Sequence, residues 1–325
     1  MSNTALPHVY SGKVRELFEV GYDALLMVAT DRVSVFDVVL PDLVPDKGRV
    51  LTGLSHFWFE HTAHIIPNHV ISCDPSDFPE TAGAVGGRAT LVRATRPVRL
   101  ECVVRGYLFG GGWNEYRERG TIGGFAAPAG LEQAGPLPEP LFTPTTKAEN
   151  GHDLPLSADE AINLVGSPVY ERLKEASLRL YEYGARHADS CGLILADTKF
   201  EFGELDGELL VIDEMMTPDS SRYWPQELYM PGLSPPSFDK QFVRDFMDST
   251  GWNHEPPAPH MPDDVIANTR GKYVEAYELV TGEPFSELQA NNATLATSEA
   301  RERCMGRIVD DGSTEGRIAR TLRRE

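Results

Sequence analysis

The stretch that most constrains the fold is Leu195-Ala196-Asp197-Thr198-Lys199-Phe200-Glu201-Phe202, followed after a polar turn by Leu209-Leu210-Val211-Ile212-Asp213-Glu214. Side chains alternate along a strand, so Asp197, Lys199 and Glu201 share one face while Thr198, Phe200 and Phe202 share the other. One face carries acid, base and acid; the opposite face carries aromatics that can enter a core. The second segment is a continuous apolar run, the pattern of a strand buried on both faces, so its two terminal carboxylates sit at the rim of a core. The turn between them allows two registers. A two-residue Asp206-Gly207 turn pairs Asp213 with Phe200 and sends it to the aromatic face. A three-residue loop with Gly207 left-handed pairs Asp213 with Lys199 and sets it beside Glu201. The second register is the one expected. Two carboxylates and a lysine on a half-buried face are costly without partners. A divalent cation carrying a polyphosphate would satisfy them, since Mg²⁺ takes one or two carboxylates and completes its shell with phosphate oxygens and water. The plainer alternative is a solvated ladder of alternating charges.

Other clusters carry weaker signals. Thr217-Pro218-Asp219-Ser220-Ser221-Arg222 offers hydroxyls, backbone N–H groups and a guanidinium fork to an anion, or else a helix cap with a surface arginine. Arg105 follows three largely apolar residues and leads into Gly110-Gly111-Gly112-Trp113, where glycines let a backbone approach a ligand. Ser11-Gly12-Lys13-Val14-Arg15 is neither a Walker A loop nor a GxGxxG turn, yet two cations at a strand turn can cover phosphates. Lys147 to Asp153 is a loop mixing Lys147, Glu149, His152 and Asp153. His56, His61, His64 and His69 suggest a metal box, but no cysteine or carboxylate completes a tidy motif, and an ordinary half-exposed helix is expected instead.

Apolar spacing predicts helices over about 49–65, 168–191, 239–249 and 263–280, and strands over 89–94 and 98–104. The Gly- and Pro-rich middle, 110–144, reads as mostly loop, and the tail beyond 284 as peripheral. At 325 residues the chain suits two domains or one two-lobed unit. Its 49 acidic against 30 basic residues give a net charge of −19. That field disfavours nucleic-acid and anionic-membrane binding, so an anionic ligand must be held by a local cationic cluster. The four cysteines are scattered, as in a reduced, cytoplasmic protein, and neither a secretory signal nor a membrane span is evident.

In order, SGKVREL, ATDRVSVFD, PDKGRVLTGLSHFWF, ECVVRGYL, FTPTTKAENGHD, ADTKFEFG and DEMMTPDSSRYW resemble the phosphoribosylaminoimidazole-succinocarboxamide synthase (SAICAR synthetase) family, over about residues 8–283. The resemblance implies an α+β, two-lobed architecture of protein-kinase-like or ATP-grasp-like form. A β-rich nucleotide-binding lobe would span 1–105, a larger α/β catalytic lobe 106–283, and a peripheral tail 284–325. It implies a carbon–nitrogen ligase of purine biosynthesis that uses ATP and Mg²⁺ to join the carboxylated aminoimidazole ribonucleotide CAIR to L-aspartate. By position, Gly12, Lys13 and Arg15 would cover phosphates, and Glu101 would lie next to the adenine hinge. Glu201 and Asp213 would hold Mg²⁺–ATP. Asp197 and Lys199 would be catalytic, and Arg105, Ser221, Arg222, Lys147, His152 and Asp153 would line the substrate pocket. The family pattern usually has serine where Gly111 stands and a small residue where Phe109 stands, which removes one hydroxyl from the substrate-phosphate contact. A kinase-like small-molecule phosphotransferase is the alternative, although HRD-type and DFG-type triplets are lacking. The number of copies in the working assembly is left open by the sequence.

Overall fold

In this computed structural model, residues 6–79, 85, 87–147, 154–238 and 240–286 are described. The chain opens with an antiparallel meander, β1 (His8–Ser11), β2 (Arg15–Val20) and β3 (Ala24–Ala29). Alternation along β3 buries Leu26 and Val28 with Phe18 and Ala89, and brings Met27 and Ala29 to a cavity shared with Leu51 and His56. A separate hairpin follows, β4 (Arg32–Val35) and β5 (Val38–Leu43), turning through Phe36 and Asp37. The amphipathic helix α1 (Lys47–Thr62) then buries Val50, Leu51, Leu54 and Trp58. Strands β6 (Val70–Ser72) and β7 (Ala89–Arg93) complete a five-stranded sheet in the order β1-β2-β3-β7-β6.

Next come β8 (Arg96–Pro97), β9 (Leu100–Tyr107) and helix α2 (Gly110–Arg119), then the short pair β10 (Thr121–Ile122) and β11 (Phe125–Ala126). Strands β12 (Pro136–Phe142) and β13 (Thr145–Thr146) lead to α3 (Ala158–Val165) and the long α4 (Ser167–Ser190). Pro168 stands in the first turn of α4, where its missing N–H costs nothing. The remaining elements are β14 (Leu193–Leu205), β15 (Glu208–Ile212), β16 (Ser221–Pro225), α5 (Gln241–Ser249) and α6 (Asp263–Thr281). The fold is mixed α+β, with several sheets.

The organiser of the second sheet is β14. Asp197 and Thr198 pair with both β9 and β16, and Gly203 and Glu204 with both β15 and β8. One edge of β14 therefore holds β16 then β15, and the other holds β9 then β8. Beneath it lies the main core, where Phe200 and Phe202 meet Leu54 and Trp58 of α1 and Leu173, Leu180 and Tyr181 of α4. Each such fully buried side chain contributes about 1.5–3 kcal/mol of transfer free energy.

The expected helices and strands form, and the middle of the chain holds more structure than expected. The runs near Ala89 and Leu100 are neighbours in sequence but enter different sheets. The supposedly loop-like middle contains α2 and β12, and α3 was not anticipated. Arg105, after which the second lobe is expected to begin, lies within β9.

Candidate active site

β14 presents its charged face as the alternation requires, and neighbouring strands complete it. Asp197 lies opposite Arg105 of β9 on one side and Arg222 of β16 on the other. Both guanidiniums donate to the same oxygen, Asp197 Oδ2, from Arg105 Nη1 at 3.2 Å and from Arg222 Nη1 at 2.5 Å. Two residues along, Lys199 Nζ donates to Glu101 Oε1 at 2.6 Å and Glu201 Oε1 at 3.2 Å. Lys147 reaches the other oxygen of Glu201. On the opposite face Phe200 and Phe202 are fully buried, and Thr198 meets the Ser221 hydroxyl at 2.7 Å.

The hairpin register is not the one expected. Leu205 pairs with Glu208 and Glu201 with Ile212, the two-residue turn, with Asp206 and Gly207 at φ 53 and 83°. Asp206 takes the left-handed conformation that aspartate tolerates, so no third loop residue is needed. Plain alternation would then carry Asp213 to the Phe200 face. It does not, because β15 stops at Ile212 and Asp213 itself is left-handed, at φ 66°. That costs on the order of 1–2 kcal/mol for a residue with a Cβ. The turn brings its carboxylate to Arg15 Nη1 at 3.0 Å, while Arg15 Nη2 holds Glu214 at 2.6 Å. The Asp213 backbone N–H donates to His69 Nδ1 at 3.2 Å.

The charge states follow from this packing. Burial opposes the Lys199 ammonium, but Glu201 and Glu101 outweigh it and raise its pKa, so the amine stays protonated. Burial likewise opposes the Glu201 carboxylate, and Lys199 and Lys147 overcome it, holding Glu201 below the usual range. Asp213 goes the other way: burial, with Glu201 and Glu214 adding to it against Arg15, raises it to about 6. Negative charge at this end is incompletely balanced. Hard oxygen donors with surplus negative charge fit Mg²⁺, and Glu201 and Asp213 are the pair that could hold it. Among the described residues no group of three or more His, Cys, Asp or Glu forms a metal cage.

The opposite end is dominated by the two guanidiniums of Arg105 and Arg222. The first turn of α2 starts against both guanidiniums. Gly110 has φ 57°, and a Cβ there would lie 2.7 Å from Arg222 Nη2; one on Gly112 would lie 3.3 Å from Arg105 Cδ. The left-handed backbone at Gly110 favours a residue without a side chain, and a Cβ there would also displace the end of Arg222. A Cβ on Gly111 would meet nothing within 4 Å. The Phe109 ring is buried under Arg222, 5.5 Å from its guanidinium carbon.

The other expected residues are placed less centrally. Gly12 shapes its turn through N–H donation to Arg15 O at 2.8 Å. Lys13 pairs with Asp37 at the β4–β5 tip, and both are exposed to solvent. Ser221 faces Thr198, away from the Asp197 face, so its hydroxyl supports the sheet. His152 and Asp153 lie outside the described residues. The histidines do not gather: His56 is beside Glu60, His61 bonds Phe57 O, His64 packs edge-on to Tyr183, and His69 is buried. Burial lowers the His69 pKa to about 3, with Arg93 and Arg15 adding to the effect.

One network escaped the sequence reading. Asp219 is buried and receives Lys47 at 2.7 Å, Lys240 at 3.1 Å and the Tyr273 hydroxyl at 2.6 Å. It pins the Thr217–Ser220 turn, and so the start of β16, to α1 and α6. The signal was Lys47 itself, a lysine opening an otherwise apolar helix face.

Comparison with known proteins points to one family. The phosphoribosylaminoimidazole-succinocarboxamide synthase of Desulfosudis oleivorans is 52% identical over 276 residues, covering 83% of this chain and 94% of that protein. The SAICAR synthase of Saccharomyces cerevisiae, solved in complex with SAICAR, superposes with a TM-score of 0.79 at 39% identity, over 86% of this chain and 96% of that one. A SAICAR synthetase in complex with ADP superposes with a TM-score of 0.64 at 25% identity, over 85% and 98%. Fold and relatives together define a ligase. The family model described as SAICAR synthetase matches residues 8–259. The chain belongs to the SAICAR synthetase family.

Proposed function

We propose that this site condenses CAIR with L-aspartate at the expense of ATP, giving SAICAR, ADP and phosphate, through an acyl phosphate. The observation that carries the assignment is β14, which sets two guanidiniums, Arg105 and Arg222 around Asp197, two residues from a cluster of lysines and carboxylates. In this reading Arg105 and Arg222 take the CAIR phosphate beside the first turn of α2, with Asp197 fixing both forks. Glu201 and Asp213 hold Mg²⁺, which when bound neutralises phosphate charge as a Lewis acid. Gly12 and Lys13 cover the nucleotide phosphates while Arg15 braces Asp213 and Glu214. Glu101 keeps Lys199 in place next to the adenine-binding side. Lys147 steadies Glu201, and His152 and Asp153 border the substrate pocket. The five-stranded sheet serves as a kinase-like or ATP-grasp-like nucleotide lobe, and the β14 sheet with its helices as the catalytic lobe.

A carboxylate is a poor acyl donor because its leaving group is oxide. Attack of a CAIR carboxylate oxygen on the γ-phosphorus, with the bond to the bridging oxygen breaking, releases ADP and makes phosphate the leaving group. The aspartate amine then attacks the acyl carbon, the C–N bond forms, phosphate departs and the amine proton is lost. Protonated Lys199 is no base in this scheme. It offsets the charge of two anions brought together and aligns them. Water must be kept out, or the acyl phosphate hydrolyses.

The test is ADP release assayed with each substrate omitted in turn. Release that needs both CAIR and aspartate is expected, with heavy-oxygen label passing from the CAIR carboxylate to inorganic phosphate. Release with a simple alcohol acceptor would favour a phosphotransferase, and absence of label in phosphate would remove the acyl phosphate.

A further inference from the structure

We infer that His69 is a positioning residue for the Asp213 carboxylate, acting through the hydrogen bond between its Nδ1 and the Asp213 backbone N–H. The inference rests on the reading that Asp213 contributes to the Mg²⁺–nucleotide end.

β15 ends one residue before Asp213, and with it ends the ladder that would satisfy the Asp213 N–H. The two-residue hairpin turn leaves Asp213 in phase with the aromatic face, and the left-handed backbone at Asp213 takes it out of that phase. Something must hold that turn. The segment just after α1 runs beside β15: Val211 N–H donates to Pro67 O at 3.0 Å, His69 N–H donates to Val211 O at 3.3 Å, and Asn68 bridges Val211 in parallel. The segment is fixed from its other side by Arg93, whose N–H donates to His69 O at 2.8 Å. The imidazole is thereby delivered to the end of β15, packed on the Phe59 ring at 5.5 Å, with only 3% of the residue exposed.

Because Nδ1 accepts an N–H, it presents its lone pair and the ring proton sits on Nε2. Nε2 has no hydrogen-bond partner among the described residues. A buried ring that leaves one nitrogen unpaired is held for the other, and that other nitrogen caps the turn which aims Asp213 toward Arg15 and away from Phe200. Partners that orient a ligating carboxylate in this way are worth about ten- to hundredfold in metal affinity.

The side chains of asparagine and glutamine separate position from bulk. Asparagine places an amide oxygen near the site of Nδ1; glutamine places its amide near that of Nε2. MgADP and CAIR binding would be measured by calorimetry on the full chain for wild type, His69→Asn, His69→Gln, His69→Phe and Asp213→Asn. The expected result is that His69→Gln and His69→Phe weaken MgADP about ten- to hundredfold, leave CAIR unchanged, and that His69→Asn stays close to wild type. Equal losses in the Asn and Gln variants, or a matching loss of CAIR affinity, would reduce His69 to packing and overturn the inference. So would wild-type MgADP affinity in the Gln variant when Asp213→Asn is weakened. If Asp213→Asn itself binds MgADP as wild type does, the assignment of Asp213 fails and takes this inference with it. Should His69→Phe not fold, the Asn and Gln pair still decides.

Discussion

The two ends of β14 are built from the same side-chain types with opposite balance. At the Asp197 end two guanidiniums share one carboxylate, and the first turn of α2 closes against them. At the Glu201 end, among the described residues, the carboxylates of Glu101, Glu201, Asp213 and Glu214 meet the cations of Lys147, Lys199 and Arg15. One end gathers two guanidiniums about a carboxylate, and the other gathers carboxylates about two lysines and Arg15. Lys199 stands between them. A strongly acidic protein can thus gather cations on one strand face without a basic surface.

The largest effect should come from the residue that joins the two ends. Lys199→Ala is expected to lower kcat by about 10²–10³ with the melting temperature little changed; near-wild-type turnover would detach it from the chemistry. Next, Arg222→Ala removes half of the anion fork and leaves Asp197 underpaired. It should weaken CAIR by about 2–3 kcal/mol in equilibrium binding while MgADP affinity holds. If both ligands weaken together, the ends are not separate.

Asp213→Asn should do the reverse, raising the KM for Mg²⁺–ATP by at least about tenfold with CAIR unaffected. The raised pKa of Asp213 gives this end its own pH signature. As pH falls through about 6 the carboxylate takes up a proton, so the KM for Mg²⁺–ATP should rise below that pH in wild type. In the Asn variant the step should vanish. The sign for stability is opposite. A carboxyl whose folded pKa is raised binds its proton more tightly when folded, so ionising it costs stability above pH 6, and that cost is relieved as pH falls. Asp213→Asn should therefore melt a little higher than wild type at neutral pH, by roughly 2–4 °C, while binding nucleotide worse. A lower melting point would mean that the Arg15 contact outweighs the burial cost. The smallest change expected is a gain. Gly111→Ser has room for its side chain, and a hydroxyl there should tighten CAIR by about 1 kcal/mol; unchanged affinity would place the phosphate elsewhere.

What could be read from the sequence follows the range of the interactions involved. Alternation is local, so the sharing of a face by Asp197, Lys199 and Glu201, and the burial of Phe200 and Phe202, were legible residue by residue. The helices around Leu54 and Leu180 were legible for the same reason. The hairpin register was not, because it turned on whether Asp206 would accept a left-handed backbone, and Asp213 reaches its place through its own positive φ instead of through the expected loop. Helix α2 was missed because three glycines argue for a loop when nothing is known of the arginines that the helix start must accommodate. The Lys47–Asp219 pair spans 172 positions, and no local pattern reports a partner so far away. His69 was grouped with the α1 histidines by spacing alone, although it lies beyond the helix end.

The crowded edges of β14 have a consequence for how sequences of this kind can diverge. The strand works as a reading frame. Removing a single residue between Asp197 and Glu201, where the pairing with β9 is regular, would exchange its faces from that point on, driving ionic groups among the aromatics and exposing phenyl rings on the charged side. Changes in chain length are excluded from this interval and must be absorbed where no periodicity is kept, in connections such as the one between β11 and β12.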